Sequence, residues 1–495
     1  MTRYQELHDH VSKVYDLRHV SAIASWDEAA MMPVGGGPAR GRALSTLNVV
    51  IHDMLTDSRM PGLIEAATAE SLEPWQAANL REIRRLVDNA TCVPADLVRR
   101  LGLATSASEQ AWRIHRAAND WNAMQPHLVK VVALNREKAA VMAEARGCSL
   151  YNALLDTYEP GATTEMIDPL FADLKAFLPG FTAQVIERQS SEEVLPLSGD
   201  FSIENQKRLG MTVMASLGFD FEHGRLDVSH HPFCGGVPDD VRITTRYNEG
   251  NFVESLMAVI HESGHAMYEQ GLPKGWRDQP VGDALSAGTH ESQSLLMEMQ
   301  ACRTREFLEY LAPIAQRTFL GQESNDPAWS VDNLYKIYTR VRRSYIRVDA
   351  DEVTYPLHVI MRYELERDLI EGQLEVSDIP EAWDAKMREY LDISTSGNFK
   401  DGCLQDVHWP AGLFGYFPTY TLGAMTAAQL FQSAVSEIGD VHENIGKGNF
   451  APLLGWLRQN VHSRGKFLSY DQLMKEATGS GLDAVYFKRH LAARY

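Results

Sequence analysis

Two histidines four residues apart with a glutamate between them, His261-Glu262-Ser263-Gly264-His265, are the side chains of this sequence best suited to chemistry. On a helix, positions i and i+4 share a face, so both imidazoles can reach one ion while Glu262 projects beside them. A zinc ion held by neutral imidazoles keeps an open position for water and lowers that water's pKa towards neutrality. A carboxylate placed like Glu262 can then take the proton. The same spacing also fits a core helix with two histidines on an apolar face, so the pentapeptide needs support from its surroundings.

The surrounding stretch Asn251 to Gly271 reads as a helix. Asn251 with Glu254 forms a capping pair, Phe252, Leu256, Val259, Ile260 and Met267 recur at helical spacing, and Gly271 with Pro273 stops the run. A catalytic zinc site usually has a third protein ligand. Thr289-His290-Glu291-Ser292 follows a Gly-containing loop and opens another apolar-periodic helix through Leu295, Met299 and Cys302, which makes Glu291 the candidate. The competing reading of Glu291 is a first-turn glutamate that favours the helix dipole.

The remaining chain must position these groups. Its 495 residues suffice for a large core, and the formal charge of -19 argues against nucleic-acid or anionic-membrane partners, which need a cationic face. Cys92, Cys148, Cys234, Cys302 and Cys403 are scattered, odd in number and form no CxxC pair, so they read as reduced thiols of a cytoplasmic protein. The polar start, MTRYQELHDHVSKVYDL, holds no apolar run long enough for a signal peptide or spanning helix.

Leu7, Val11, Val14, Tyr15 and Leu17 predict an amphipathic helix over about 2–25, followed by the turn-rich MMPVGGGPARG and a second helix over about 39–56. His8 and His10, two residues apart, point in different directions and read as a solvated face. Helical patterns fill 63–146, 149–157, 163–189 and 204–217. The one extended stretch is 225–247, where HHPF and VRITTRY flank the turn composition GGVPDD, predicting a small antiparallel β-ribbon just before the HESGH helix. Helices then dominate, with loops near 275–288, 395–402 and 408–418. With no repeat or linker in sight, the expectation is one mostly α domain spanning 1–495, with two lobes around a groove as a variant of it.

Six motifs now stand in order: HPF at 231–233, DVRIT at 240–244, HESGH at 261–265, HESQ at 290–293, IRVDAD at 346–351 and GCLQDVHW at 402–409, with SWDEAAMMPVGG before and FGYFPTYTLG after. In this order the chain resembles the carboxypeptidase Taq family of metallopeptidases (M32) over nearly its whole length. That resemblance implies a cytosolic, metal-dependent carboxypeptidase of broad specificity acting on peptides with a free C-terminus. It also implies a mostly helical, usually homodimeric protein with a deep groove like that of neurolysin and angiotensin-converting enzyme. By the same resemblance His261, His265 and Glu291 are the metal ligands and Glu262 the catalytic base, the metal being Zn2+ with Co2+ also supporting activity.

Hydrolysis of a terminal peptide bond needs donors for the developing oxyanion, and His408 and Tyr416 are the first candidates, with Tyr420 behind them. FGYFPTY also reads as core. A guanidinium suits a terminal carboxylate because it donates two parallel hydrogen bonds. Arg347 and then Arg242 are the candidates, each with an internal ion pair as its alternative: Asp240 for Arg242, Asp349 and Asp351 for Arg347. Asp349, Asp351, Gln405 and Asp406 are candidates for orienting the histidines or these arginines. His231 could bond substrate backbone from the ribbon edge or be a buried structural histidine, while Trp26 and Asp27 read as ties between the first helices and the body. The competing functions are an endo-oligopeptidase or dipeptidyl carboxypeptidase on the same scaffold, and a peptide-binding protein without turnover, in which Glu262 would be superfluous.

Overall fold

The apolar positions near the start of the chain become a buried stripe: Leu7, Val11 and Val14 have no solvent exposure. They lie on a helix over Arg3–Ala30, begun by Thr2, whose hydroxyl accepts from the Gln5 amide. It runs past the expected end because Trp26 is itself buried. The next helix, Gly37–Leu55, starts two residues before the expected Ala39, since Pro38 sits in the first turn, where a missing N–H costs nothing. His10 Nε2 lies 2.8 Å from the Met54 carbonyl, and the His8 ring is 6.4 Å from Trp276. Both histidines are therefore partly covered instead of solvated.

This computed structural model describes Thr2 to Tyr495. Helices form nearly everything, including Leu150–Leu155, Thr164–Gln189 and Ile203–Leu217 where periodicity predicts them. The extended stretch forms a three-stranded sheet of β1 (Gly224–Val228), β2 (Cys234–Val237) and β3 (Asp240–Thr245) in the order β1-β3-β2. β2 and β3 make an antiparallel hairpin, with Cys234 opposite Ile243 and Val237 opposite Asp240, but its first strand is CGGV and not HHPF: the pairing runs into the expected turn and leaves only Pro238 and Asp239 to reverse the chain. β1 adds to the other edge of β3 in parallel, Leu226 opposite Ile243. A hairpin is announced by its turn residues, whereas a parallel neighbour leaves no local signal.

The first helices enclose a small core of their own, where Tyr4, Leu7 and Val11 meet Met60, Ile64, Ile83 and Val87. A large continuous core runs from Leu97 to Tyr495, and a separate small cluster of Met214, Phe219, Leu226, Val241, Ile243, Val259 and Ala266 joins the sheet to the HESGH helix. The first helices are tied to the rest by polar and stacked contacts: Asn79 to Gln279 at 2.9 Å, Tyr15 to Asp283 at 2.6 Å, and Trp26 beneath the guanidinium of Arg242 at 4.5 Å. Among the described residues no helix is long and apolar enough to cross a membrane. All five cysteines are unpaired.

Candidate active site

The HESGH helix spans Phe252–Gly271, and the Asn251 side chain caps it by accepting from the Val253 amide. Glu254 leaves the capping pair incomplete, because it bonds to Arg246 instead. Against this helix packs a second, Ala287–Leu295, begun by Ser286 and continued by a π turn over Leu296–Ala301. The two backbones touch at Gly264: a Cβ there would lie 2.5 Å from the Gln293 oxygen and 2.6 Å from the Ser294 Cα. On the far side, Gly423 of the helix Pro418–Ile438 leaves room for Glu291, whose Cβ and Cγ would each stand 2.9 Å from an added methyl. Two glycines thus let three helices close on one glutamate.

Pairs along the seam run in opposite directions on the two helices, forming three rungs. Glu269 accepts from His290 Nε2 at 2.8 Å; His265 Nε2 stands 3.5 Å from Glu291 Oε2; His261 Nδ1 donates to Glu298 Oε2 at 2.9 Å. His265 Nδ1 is also committed, 3.1 Å from the His290 carbonyl and 2.6 Å from His290 Nδ1. With both Nδ1 atoms occupied, the Nε2 atoms are the ones turned towards Glu291. His261, His265 and Glu291 each offer one ligand atom within 4.8 Å of the others. His261 Nε2 is 4.0 Å from Glu291 Oε2, and the corresponding distance for His265 is 3.5 Å. A tetrahedron of about 2.0–2.1 Å bonds has edges of about 3.3 Å, so the donor set fits a zinc-sized ion.

Electrostatics agree with a cation-seeking pocket. Burial alone would lower His261, but the Glu298 hydrogen bond and the charges of Glu291 and Glu262 raise it to about 10. His265 is held near 4, by burial first and then by the neighbouring His290, so it stays neutral and ready to ligate. Glu291 falls to about 2 despite its burial, through the His265 hydrogen bond and the His261 charge. Glu262 is pushed up to about 7 by burial, with His261 opposing. That value suits a general base working near neutrality.

His408 and the tyrosines form a neighbouring cluster. His408 Nε2 is 3.1 Å from the Tyr420 hydroxyl, and the Tyr416 ring lies 5.7 Å from His408 and 5.3 Å from Tyr420. Tyr416 is raised to about 12 by burial and then by the charge of Glu291, which places its hydroxyl within electrostatic reach of the metal-site glutamate. Behind this cluster Asp406 accepts from Arg347 Nε and Nη2 at 3.1 and 3.0 Å and from Arg362 Nε at 2.6 Å. One carboxylate therefore answers two buried guanidiniums. Arg347 also donates to Tyr355 at 2.8 Å and stacks 4.8 Å from the Tyr420 ring.

The remaining candidates make other contacts. Arg242 takes its alternative reading, bidentate to Asp240 at 2.8 and 2.9 Å and stacked on Trp26. His231 is exposed on the turn before β2, its ring 4.7 Å from His230. Asp406 and Gln405 hold Arg347, and Asp351 caps the turn at Val353 and Thr354. The acids that reach the histidines are instead Glu298 and, through His290, Glu269. Their signal was present: Glu269 continues the i, i+4 series of His261 and His265, and Glu298 lies seven residues after Glu291.

Two buried carboxyls brace the site from outside. Glu159 accepts from the Gly288 amide at the start of the Glu291 helix, and Glu366 accepts from Gly415, Tyr151 and Trp409 just before Tyr416. Burial raises each to about 7. A free glutamate titrates near about 4.3, so between that pH and about 7 the folded chain keeps a proton on Glu366 that the unfolded chain has released. The contribution of this group to stability accordingly falls as pH rises through that window. The melting temperature of Glu366→Gln relative to the parent should therefore rise from about pH 5 to about pH 8. A pH-independent difference would show that the carboxyl is ionised throughout.

With this geometry established, comparison with known proteins is informative. The family model described as Carboxypeptidase Taq (M32) metallopeptidase matches residues 6–495. Thermostable carboxypeptidase 1 of Thermus thermophilus is 38% identical over 506 residues, covering 99% of this chain and 98% of that protein. Carboxypeptidase 1 of Bacillus subtilis is 32% identical, covering 99% of each. The solved Trypanosoma cruzi metallocarboxypeptidase 1 superposes with a TM-score of 0.97 at 43% identity, over 100% of this chain and 99% of that one. The M32 carboxypeptidase of Deinococcus radiodurans R1 gives 0.94 at 34%, over 99% and 98%. Such a family implies a divalent metal ion and peptide substrates. Matched in sequence and in backbone over nearly its full length, the chain belongs to the carboxypeptidase Taq family of metallopeptidases.

Proposed function

We propose that this protein releases single C-terminal residues from peptides, with broad specificity, using Zn2+ held by His261, His265 and Glu291. The observation that carries this reading is the convergence of those three donor atoms within 4.8 Å beside a buried glutamate. The ion, when bound, supplies Lewis acidity and a water of lowered pKa; Co2+ satisfies the same donor set. Glu262 takes the proton of the attacking water and delivers it to the leaving amine. His408, Tyr416 and Tyr420 form the donor cluster for the carbonyl oxygen. Arg347 is the partner of the substrate carboxylate, because Asp406 neutralises only one of the two guanidiniums it touches, leaving a surplus positive charge next to Tyr420. Arg242 serves less well, being committed to Asp240.

The reading extends to a cytoplasmic homodimer; the unpaired cysteines support the compartment and the likeness to the family supports the pairing. The test is to incubate the purified protein with mixed peptides, with and without a chelator and metal add-back, and to weigh the products. Single-residue ladders from the C-terminus that vanish with chelator and return with zinc are expected. Peptides blocked as C-terminal amides should survive; internal cleavage of them would mean an endo-oligopeptidase instead.

A further inference from the structure

The π turn that carries Glu298 is held from outside by a residue far away in sequence. The helix ends after Ala301, and the last carbonyls of a helix lack partners within it. Arg494, at the end of the helix Ala484–Arg494, donates to the carbonyls of Met299 and Gln300. Its Nη1 also bonds Glu352 at 2.9 Å, a glutamate with no solvent exposure to its side chain. Glu352 is further bonded by His490 and by the Tyr495 hydroxyl at 3.2 Å. The circuit closes through Arg303, which bonds the other oxygen of Glu298 at 2.5 Å and lies within charge range of Glu352 and Tyr495. π geometry in a helix is rare and commonly marks a functional position.

We propose that Arg494 is a positioning residue for the metal site: by fixing the Met299 and Gln300 carbonyls to Glu352, it holds the π turn in the register that presents Glu298 to His261 Nδ1. This inference rests on the proposed zinc site. A fixed partner on the far nitrogen sets the tautomer and direction of a ligating histidine, and losing such a partner typically weakens metal affinity by about 10–100-fold. Arg494 acts one step further back, so its effect must pass through Glu298.

The experiment is a double-mutant cycle on zinc affinity, read by competition with a chromophoric chelator, using Arg494→Met, Glu298→Gln, the double variant and His261→Ala. Arg494→Met should weaken zinc binding about 10-fold and Glu298→Gln about 10–100-fold, with the double variant no weaker than Glu298→Gln alone. The absorption bands of the Co2+-loaded Arg494→Met protein should shift as well, which a loss of general stability would not cause. Should the methionine variant not fold, Arg494→Lys keeps the charge but has one nitrogen for three acceptors, and enters the same cycle. Multiplying effects, or an affinity unchanged by either Arg494 substitution while His261→Ala abolishes binding, would overturn the latch alone. Zinc binding indifferent to His261→Ala would overturn the proposed site and the latch with it.

Discussion

Glu262→Gln should leave a protein that folds, binds zinc and hydrolyses peptides about 10²–10⁴-fold more slowly, the range by which a positioned general base accelerates proton transfer. The side chain is 6% exposed and burial raises its carboxyl, the direction that suits a group asked to take a proton near neutrality. Glutamine keeps the volume and loses the basic oxygen. Glu262 is absent from the triad of converging donor atoms, so metal content should match the parent. Hydrolysis rates and metal content measured on the same preparation decide the matter. A variant within a few-fold of parental activity would remove Glu262 from the base role, and one that lost its metal would make it a structural residue.

The second large effect is expected from a residue with no functional group. Gly264→Ala adds a methyl 2.5 Å from the Gln293 carbonyl oxygen and 2.6 Å from the Ser294 Cα. Both obstacles are backbone atoms, so no side-chain rotation relieves the clash and the two helices must part. Overpacking of this kind typically costs about 1–3 kcal/mol, but the larger consequence is for the ion. The triad depends on Glu291 lying 3.5 and 4.0 Å from two imidazoles of the opposite helix. Zinc affinity should fall by about 10²-fold, the upper end of what loss of a supporting partner does. Zinc titration and denaturant unfolding of the same variant test this. Parental zinc affinity in Gly264→Ala would show that the site does not depend on that close approach.

How much of this was legible follows from how local each signal is. His261, Glu262 and His265 sit within five residues, and helical periodicity alone puts the two histidines on one face with Glu262 beside them. The hairpin of β2 and β3 was readable from its turn in kind but not in register, since its first strand is CGGV and not the HHPF before it. Glu291 was nameable as a candidate because a capped helix begins beside it, but its choice over a dipole-stabilising glutamate rested on family likeness. Glu298 lies within a π turn, a change of helical register that composition does not announce. Gly264 occupies a position that reads as filler, since its value lies in what another helix does 30 residues later. Arg242 and Arg347 show the converse limit: each had an acid nearby in sequence, yet Arg242 pairs with its neighbour Asp240 while Arg347 pairs with Asp406, 59 residues away.

The three rungs between the HESGH helix and the Glu291 helix set the register in which the three donor atoms meet. Successive residues of a helix are turned by about 100° from one another, so a pairing shifted by one residue would point every acid away from its imidazole at once. The pairs accordingly hold or fail as a set.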